Sequence, residues 1–201
     1  MFYGRYISKL ILCLCLSSML QSCVAIASLG VGVIGVSAIQ RPQIQDNIND
    51  NKIYSLINLA LVKQFNKLYK KLYIQVLYGR VLLIGNIASQ EDMLDILDIV
   101  WGIDGVVEVI NELNIKENSN YFDSKQYFKD TYITLSIRSK LVNASHIQSL
   151  MYNVTVIDNV VYLFGIARNL EELEEVSSIA ANAKGITDVK NHILMKDDLN
   201  K

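Results

Sequence analysis

The strongest constraint on this chain is that it repeats itself. Shifted by 80 residues without a gap, residues 50–115 fall on 130–195 with fourteen identities. They run from Asp50/Asp130 and Ile53/Ile133, through Gly85/Gly165 and Gly105/Gly185, to Asn111/Asn191. Most are apolar or glycine, the positions a shared fold holds constant when one supersecondary unit is built twice. Any fold proposed for one copy must therefore fit the other.

Each copy reads as α-β-β-α-β. Ile53, Ile57 and Leu61, matched by Ile133, Ile137 and Leu141, recur every four residues on one helix face. Ile74, Val76 and Tyr78 then alternate, Gly79-Arg80 reads as a turn, and Val81 to Ile84 return. In the second copy Val154 and Val156 alternate, Asp158-Asn159 turn, and Val160 to Phe164 return. The return strand is apolar on both faces, which predicts a central position. Ser89 and Asn169 read as N-caps of a second helix, with a core stripe of Met93, Ile96, Leu97 and Val100 matched by Leu173, Val176 and Ala180. Gly105 and Gly185 mark its exit, and Val106 to Ile115 and Ile186 to Met195 close each copy. The expected class is α+β: two tandem α-β-β-α-β domains, each a three-stranded mixed sheet with two helices on one face. Domains this small are marginal alone, so the copies are expected to support each other.

The body carries little chemistry. Cys13, Cys15 and Cys23 are the three cysteines, all in the first 23 residues, which excludes a disulfide framework, a thiol nucleophile and a Cys metal site beyond them. His146 and His192 sit in no metal-ligand or triad spacing. Gly85 and Gly165 are followed by no phosphate-binding glycine pattern, and no nucleophile–base pair is evident. The reading is a non-enzyme with no catalytic residue, no metal and no cofactor. A formal net charge of −1 offers no positive field for nucleic acid.

The N-terminus reads as an address. Arg5 and Lys9 precede an apolar run, Leu10 to Leu20, that is too short to cross a bilayer, which needs ~20 apolar residues. Leu20-Gln21-Ser22-Cys23 resembles the bacterial lipobox, in which the cysteine is lipidated and becomes the first residue. Val24 follows, not the Asp that marks retention at the inner membrane, which points to the outer membrane. The alternative is an uncleaved anchor from Leu10 to Ile39, interrupted by Gln21-Ser22. Removing residues 1–22 takes away Arg5 and Lys9 and no acid, leaving a net charge of −3. The expected organisation is a signal peptide over 1–22 and a lipidated Cys23 with an apolar tether to 45. Domain 1 covers 46–116, a linker 117–129, domain 2 130–196 and a tail 197–201.

The helix expected over 130–142 is unusual on its outer side. Tyr132, Leu135, Ser139 and Val142 fall opposite the core stripe, where a surface helix is normally polar, and Arg138 and Lys140 flank them. Copy one has Lys52, Ser55, Leu59 and Val62 there and lacks the aromatic. Around this helix the residues 121–142 carry four bases against two acids, together with Tyr121, Phe122, Tyr127 and Phe128. The acids Glu171, Glu172, Glu174 and Glu175 lie on the other helix and read as a solvated face. Basic side to an anionic bilayer and acidic side away is the orientation this predicts. Two uses of the outer stripe stay open from these residues: contact with lipid, or packing of Leu135 and Val142 against domain 1.

Gly105-Val106-Val107-Glu108-Val109-Ile110-Asn111 and Gly185-Ile186-Thr187-Asp188-Val189-Lys190-Asn191 resemble the closing segment of BON domains. A lipobox followed by two such units resembles the dual-BON outer-membrane lipoproteins over nearly the whole chain. The resemblance implies a periplasm-facing, outer-membrane lipoprotein that binds anionic phospholipid through the first helix of its second domain and supports envelope integrity. Its site residues are then Tyr132, Leu135, Arg138, Ser139 and Val142, with lipid attachment at Cys23. The family carries Trp where Tyr132 stands; Tyr keeps an amphipathic aromatic and shortens the wedge. An envelope protein docking on the same helix face, with this chain as an adaptor, is the alternative, and a homo-oligomer is left open. Palmitate labelling of cells making the protein is expected to mark it, and Cys23→Ser to remove that label; a Cys23→Ser band that still labels refutes the lipobox reading.

Overall fold

The computed structural model describes residues 44–65, 72–116 and 123–200. The signal peptide, Cys23, the tether to residue 43, linker residues 117–122 and Lys201 lie outside the described residues. The order is α1 (Ile44–Gln64), β1 (Leu72–Leu77), β2 (Arg80–Ile87), α2 (Gln90–Trp101), β3 (Glu108–Ile115), then α3 (Ser124–Asn143), β4 (Tyr152–Ile157), β5 (Val160–Ala167), α4 (Leu170–Ala181) and β6 (Asp188–Met195). A short 3-10 turn, Ser149–Met151, precedes β4, and another, Lys196–Asn200, ends the chain. The sheets run β1-β2-β3 and β4-β5-β6. In each, the first pair is antiparallel and the second parallel, so both are mixed three-stranded sheets with the return strand central, as the patterning requires.

Alternation along the central strand builds two kinds of core. Val81 and Leu83 point to the helices and pack with Ile53, Ile57, Leu61, Ile96 and Val100. Val161 and Leu163 do the same with Ile133, Ile137, Leu141, Val176 and Ala180. Their neighbours Leu82, Ile84, Tyr162 and Phe164 point the other way and form a third cluster with one another. The helix-free faces of the two sheets therefore pack back to back, in layers α/β/β/α. Residues 80 apart meet across this seam: Gln75 Nε2 donates to Thr155 Oγ1 at 2.7 Å, and His192 Nε2 and Glu112 Oε1 are 2.9 Å apart. Contact between equivalent positions is the mark of a pseudo-twofold interface. Arg80 lies over the Phe164 ring, 5.3 Å from its centroid, and pairs with Glu108. Asn86 Nδ2 and the Lys116 ammonium both reach Asp158 from domain 1.

The two hairpin turns are equivalent. Asp158 and Asn159 occupy positive φ (52° and 67°), as do Tyr78 and Gly79 (55° and 72°). The first turn is thus Tyr78-Gly79, one residue earlier than Gly79-Arg80, and Arg80 opens β2 buried in the seam. Both central residues of such a turn need the left-handed region. At Gly79 the need is also steric, since a Cβ there would sit 2.6 Å from the Gly105 carbonyl.

The asparagine ending each closing motif has a physical role. Asn111 Oδ1 accepts the Leu113 N–H at 3.0 Å, and Asn191 Oδ1 accepts the Ile193 N–H at 3.0 Å. Each occupies a donor on an edge strand, a site that would otherwise invite another strand. Each amide also reaches the second helix, at Met93 Sδ and Ser177 Oγ.

Phe164→Ala should lower stability by about 3–5 kcal/mol, the usual loss for emptying a buried aromatic site. Because Phe164 belongs to the seam, urea unfolding should split into two transitions when Trp101 emission, which reports on domain 1, is compared with backbone circular dichroism. A single coincident transition would contradict mutual support across the seam.

Candidate functional site

α3 is longer than its apolar spacing predicts. It starts at Ser124, inside the stretch read as linker and helix lead-in, because Asp123 caps it: its carboxylate accepts from Lys125 N at 2.9 Å and Gln126 N at 3.1 Å. Twenty residues at 1.5 Å each give a rod of about 30 Å.

The rotation of that rod about its axis is set by one buried carboxylate. Asp130 accepts Asp158 N–H at 2.9 Å and Asn159 N–H at 3.0 Å, so the helix is tied to the hairpin turn. Asp50 makes the same pair of bonds to Tyr78 N and Gly79 N, at 2.7 and 2.8 Å. Both acids are among the repeat identities, yet sequence reasoning assigned them no role. An acid three residues before the first core isoleucine of the helix, kept in both copies while its neighbours vary, was the available signal.

With the rotation set, Ile133, Ile137 and Leu141 are buried, and the opposite side is open. Phe128, Tyr132, Leu135 and Val142 are 70, 74, 62 and 67% exposed. Ser139 lies among them, also exposed. At 100° per residue these five span an arc of about 80°. The packing of Leu135 and Val142 against domain 1 is not observed. Phe128 extends the stripe by a turn beyond the residues assigned from sequence, which counted it in the linker. Tyr127 is also exposed, its ring edge-on to Phe128 with centroids 6.0 Å apart; burial, with Tyr127 and Asp130 adding to it, pushes the Tyr73 phenol of domain 1 up.

Lys125, Lys129, Arg138 and Lys140 are all exposed along α3. Arg138 is partly committed, since Nη2 donates to the Val154 carbonyl at 3.1 Å on the edge strand β4. The acids Asp123 and Asp130 are engaged with backbone N–H groups, so the charge α3 presents outward is mainly positive.

α4 is not on a far side of domain 2; it lies beside α3 in the same layer, packed over β5 and β6. The expected solvated acidic run also needs correction at Glu172, which is buried. Its carboxylate accepts Gln148 N–H at 2.8 Å, Arg168 N–H at 3.0 Å and Arg168 Nε at 2.9 Å. It thereby fastens the segment between α3 and β4 to the start of α4. Burial pushes this carboxyl up, but Arg168 and the two backbone N–H groups outweigh it and hold it below its ordinary value. Glu175 pairs with His146, while Glu171 and Glu174 remain exposed. Among the described residues no group of His, Cys, Asp or Glu is placed to hold a metal ion, and no helix is long and apolar enough to cross a membrane.

The BON domain matches residues 49–117 and 129–197. This chain belongs to the BON-domain family. It is 25% identical over 189 residues to "Outer membrane lipoprotein DolP" of Haemophilus influenzae, covering 91% of this chain and 93% of that protein. It is 26% identical to "Osmotically-inducible protein Y" of Escherichia coli, over 94% of this chain and 96% of the relative. A protein of Anaplasma centrale, "Uncharacterized protein in gshII 5'region", is 30% identical over 149 residues, 74% of this chain and 96% of its own length. The chain is thus a dual-BON protein of the DolP-like layout. Tyr132, Leu135, Arg138, Ser139 and Val142 all lie on the outer side of its second BON domain.

Glu172 generates a pH prediction. Its folded carboxyl is depressed, so its contribution is present above its ordinary value of 4.5 and is lost as pH falls through the lower folded value. Glu172→Gln should lose about 1–3 kcal/mol at pH 7, and the gap to wild type should narrow below about pH 4.5 in urea titrations at stepped pH. A gap that stays constant down to pH 3 would contradict the assignment.

Proposed function

We propose that this chain is a non-enzymatic envelope lipoprotein, anchored to the outer membrane through Cys23 and facing the periplasm. Its second BON domain docks on anionic phospholipid through the outer face of α3, and its role is envelope integrity. The observation that carries this reading is the α3 stripe: large apolar and aromatic side chains left open beside four bases, at positions where α1 has Lys52, Ser55, Leu59 and Val62 and no aromatic. The names of the relatives support an envelope location, with one called an outer membrane lipoprotein.

The magnitudes are consistent with a weak, reversible contact. Burying a Leu or Val side chain contributes about 1.5–3 kcal/mol, and a base near an anionic surface about 1 kcal/mol. Immobilising the domain and its side chains offsets much of this sum. A lipid anchor on the same chain raises the effective concentration of the second contact. Because α4 presents Glu171 and Glu174 in the same layer, the domain docks rolled toward the β4 edge, where Arg138 sits, keeping those acids from the headgroups. Tyr132 suits the interface, with an apolar ring and a polar hydroxyl.

Sedimentation of the compact unit Pro42–Lys201 with vesicles tests the reading. Binding is expected to vesicles containing phosphatidylglycerol and to be at least tenfold weaker to phosphatidylcholine alone. Tyr132→Asp with Leu135→Asp should abolish it with little change in melting, since both side chains are exposed; Phe128→Ser should weaken it several-fold. Wild type that ignores anionic vesicles, or a double variant that binds as well, refutes the proposal.

A further inference from the structure

The repeat contains an internal control. A position that is apolar and exposed in one copy but polar or small in the other is not required by the fold. Tyr132 and Leu135 are such positions in domain 2. Domain 1 has its own set: Leu94, Trp101 and Val107 are 54, 54 and 67% exposed, and copy two has Glu174, Ala181 and Thr187 in their places. Leu94 and Trp101 are seven residues apart on one flank of α2, next to Met93, whose sulfur meets Asn111 of β3. Val107 lies just before β3, where its N–H bonds Gly79 O at 2.9 Å.

The segment that carries this flank is acidic, although Lys52 of α1 lines the same cleft as Asp104. From Val81 to Ile115 the chain has seven acids and no Lys, Arg or His. Glu108 and Glu112 are paired across strands or the seam, with Arg80 and His192. Glu91, Asp98 and Asp104 remain exposed near the apolar flank. The matching stretch of copy two carries Arg168, Lys184 and Lys190, so this too is particular to domain 1. The back-to-back sheets place α2 and α3 on opposite sides of the unit, so the α2 flank points away from any surface that α3 touches.

We infer that the outer flank of α2 is a docking surface for a protein segment that is amphipathic, helical and basic. Leu94, Trp101 and Val107 supply the apolar contact, and the exposed acids select the charge of the partner. Addition of a strand to β3 is disfavoured because Asn111 already occupies the Leu113 N–H on that edge, so the partner binds side chains, as a helix laid on a groove does. This surface is separate from the proposed lipid face and does not depend on it.

Trp101 is the only tryptophan, so its emission reports on this surface directly. Pro42–Lys201 is titrated with a leucine–lysine amphipathic helical peptide, beside a lysine-only peptide of equal charge and a leucine–glutamate peptide. The expected result is a saturable blue shift with the leucine–lysine peptide, at least tenfold weaker binding of lysine alone, none of the acidic peptide, and a marked loss at high salt. Leu94→Glu, which installs the copy-two residue, should weaken binding at least tenfold, while anionic-vesicle sedimentation stays at wild-type level. The inference is overturned if the emission does not move, if the lysine-only peptide binds equally well, or if Leu94→Glu binds like wild type. A blue shift that grows with protein concentration alone would assign the surface to a second copy. A shift on vesicles that Leu94→Glu removes would assign it to lipid. Either outcome also overturns the inference.

Discussion

The contact between Leu82, Ile84, Tyr162 and Phe164 is what the rest of the structure rests on. A three-stranded sheet with two helices buries one face and leaves the other bare. Here the bare faces cover each other. All four side chains are almost fully removed from water, which at about 1.5–3 kcal/mol each is comparable with the stability of a whole small domain. Neither BON unit keeps that gain alone. The polar pairs around the four, Gln75 with Thr155 and Glu112 with His192, set the register at which the sheets meet. The helix layers are consequently pushed to opposite outsides.

Within each unit a second constraint decides which helix residues face out. Apolar spacing alone fixes a helix face only to within a residue or so of rotation. The carboxylates of Asp50 and Asp130 remove that freedom by gripping the N–H groups of the hairpin turn. These bonds join the body of a helix to a turn 28 residues later, and both turn positions take positive φ. The turn and the acid are therefore one device. Its consequence in domain 2 is that Tyr132, Leu135 and Val142 stay in solvent while Ile133, Ile137 and Leu141 are sealed in.

Much of this was legible in the residues because the chain is written twice. The class, the strand order and the central, doubly apolar return strands follow from patterns that agree at an offset of 80. So does the outer stripe of α3, which periodicity alone separates from the core stripe. What was not legible depended on contacts between elements. Gly79-Arg80 read as a turn because glycine is the stronger local signal, but the equivalence with Asp158-Asn159 pointed to Tyr78-Gly79. The early start of α3 turned on a single cap, Asp123, and with it Phe128 joined the stripe. Glu172 looked like one more acid on a wet helix; only the loop before β4, brought back by the fold, gives it three donors. The packing of one sheet on the other was implicit in Leu82, Ile84, Tyr162 and Phe164, but alternation cannot say what covers a second apolar face.

The same duplication separates scaffold from function. Most positions alike in both copies have a structural account: the helix cores, Asp50 and Asp130, Gly105 and Gly185, Asn111 and Asn191; the exposed pair Val62 and Val142 does not. Among the positions that are exposed and apolar in one copy only, two groups stand in surroundings of opposite charge. Copy two gathers aromatics among bases on α3; copy one gathers Leu94, Trp101 and Val107 among acids by α2. Two faces of one sign and composition would compete for the same surface. Two faces of unlike charge, held on opposite sides by the seam, can be occupied at once, so if both proposed contacts form, the duplicated unit would act as a spacer between them.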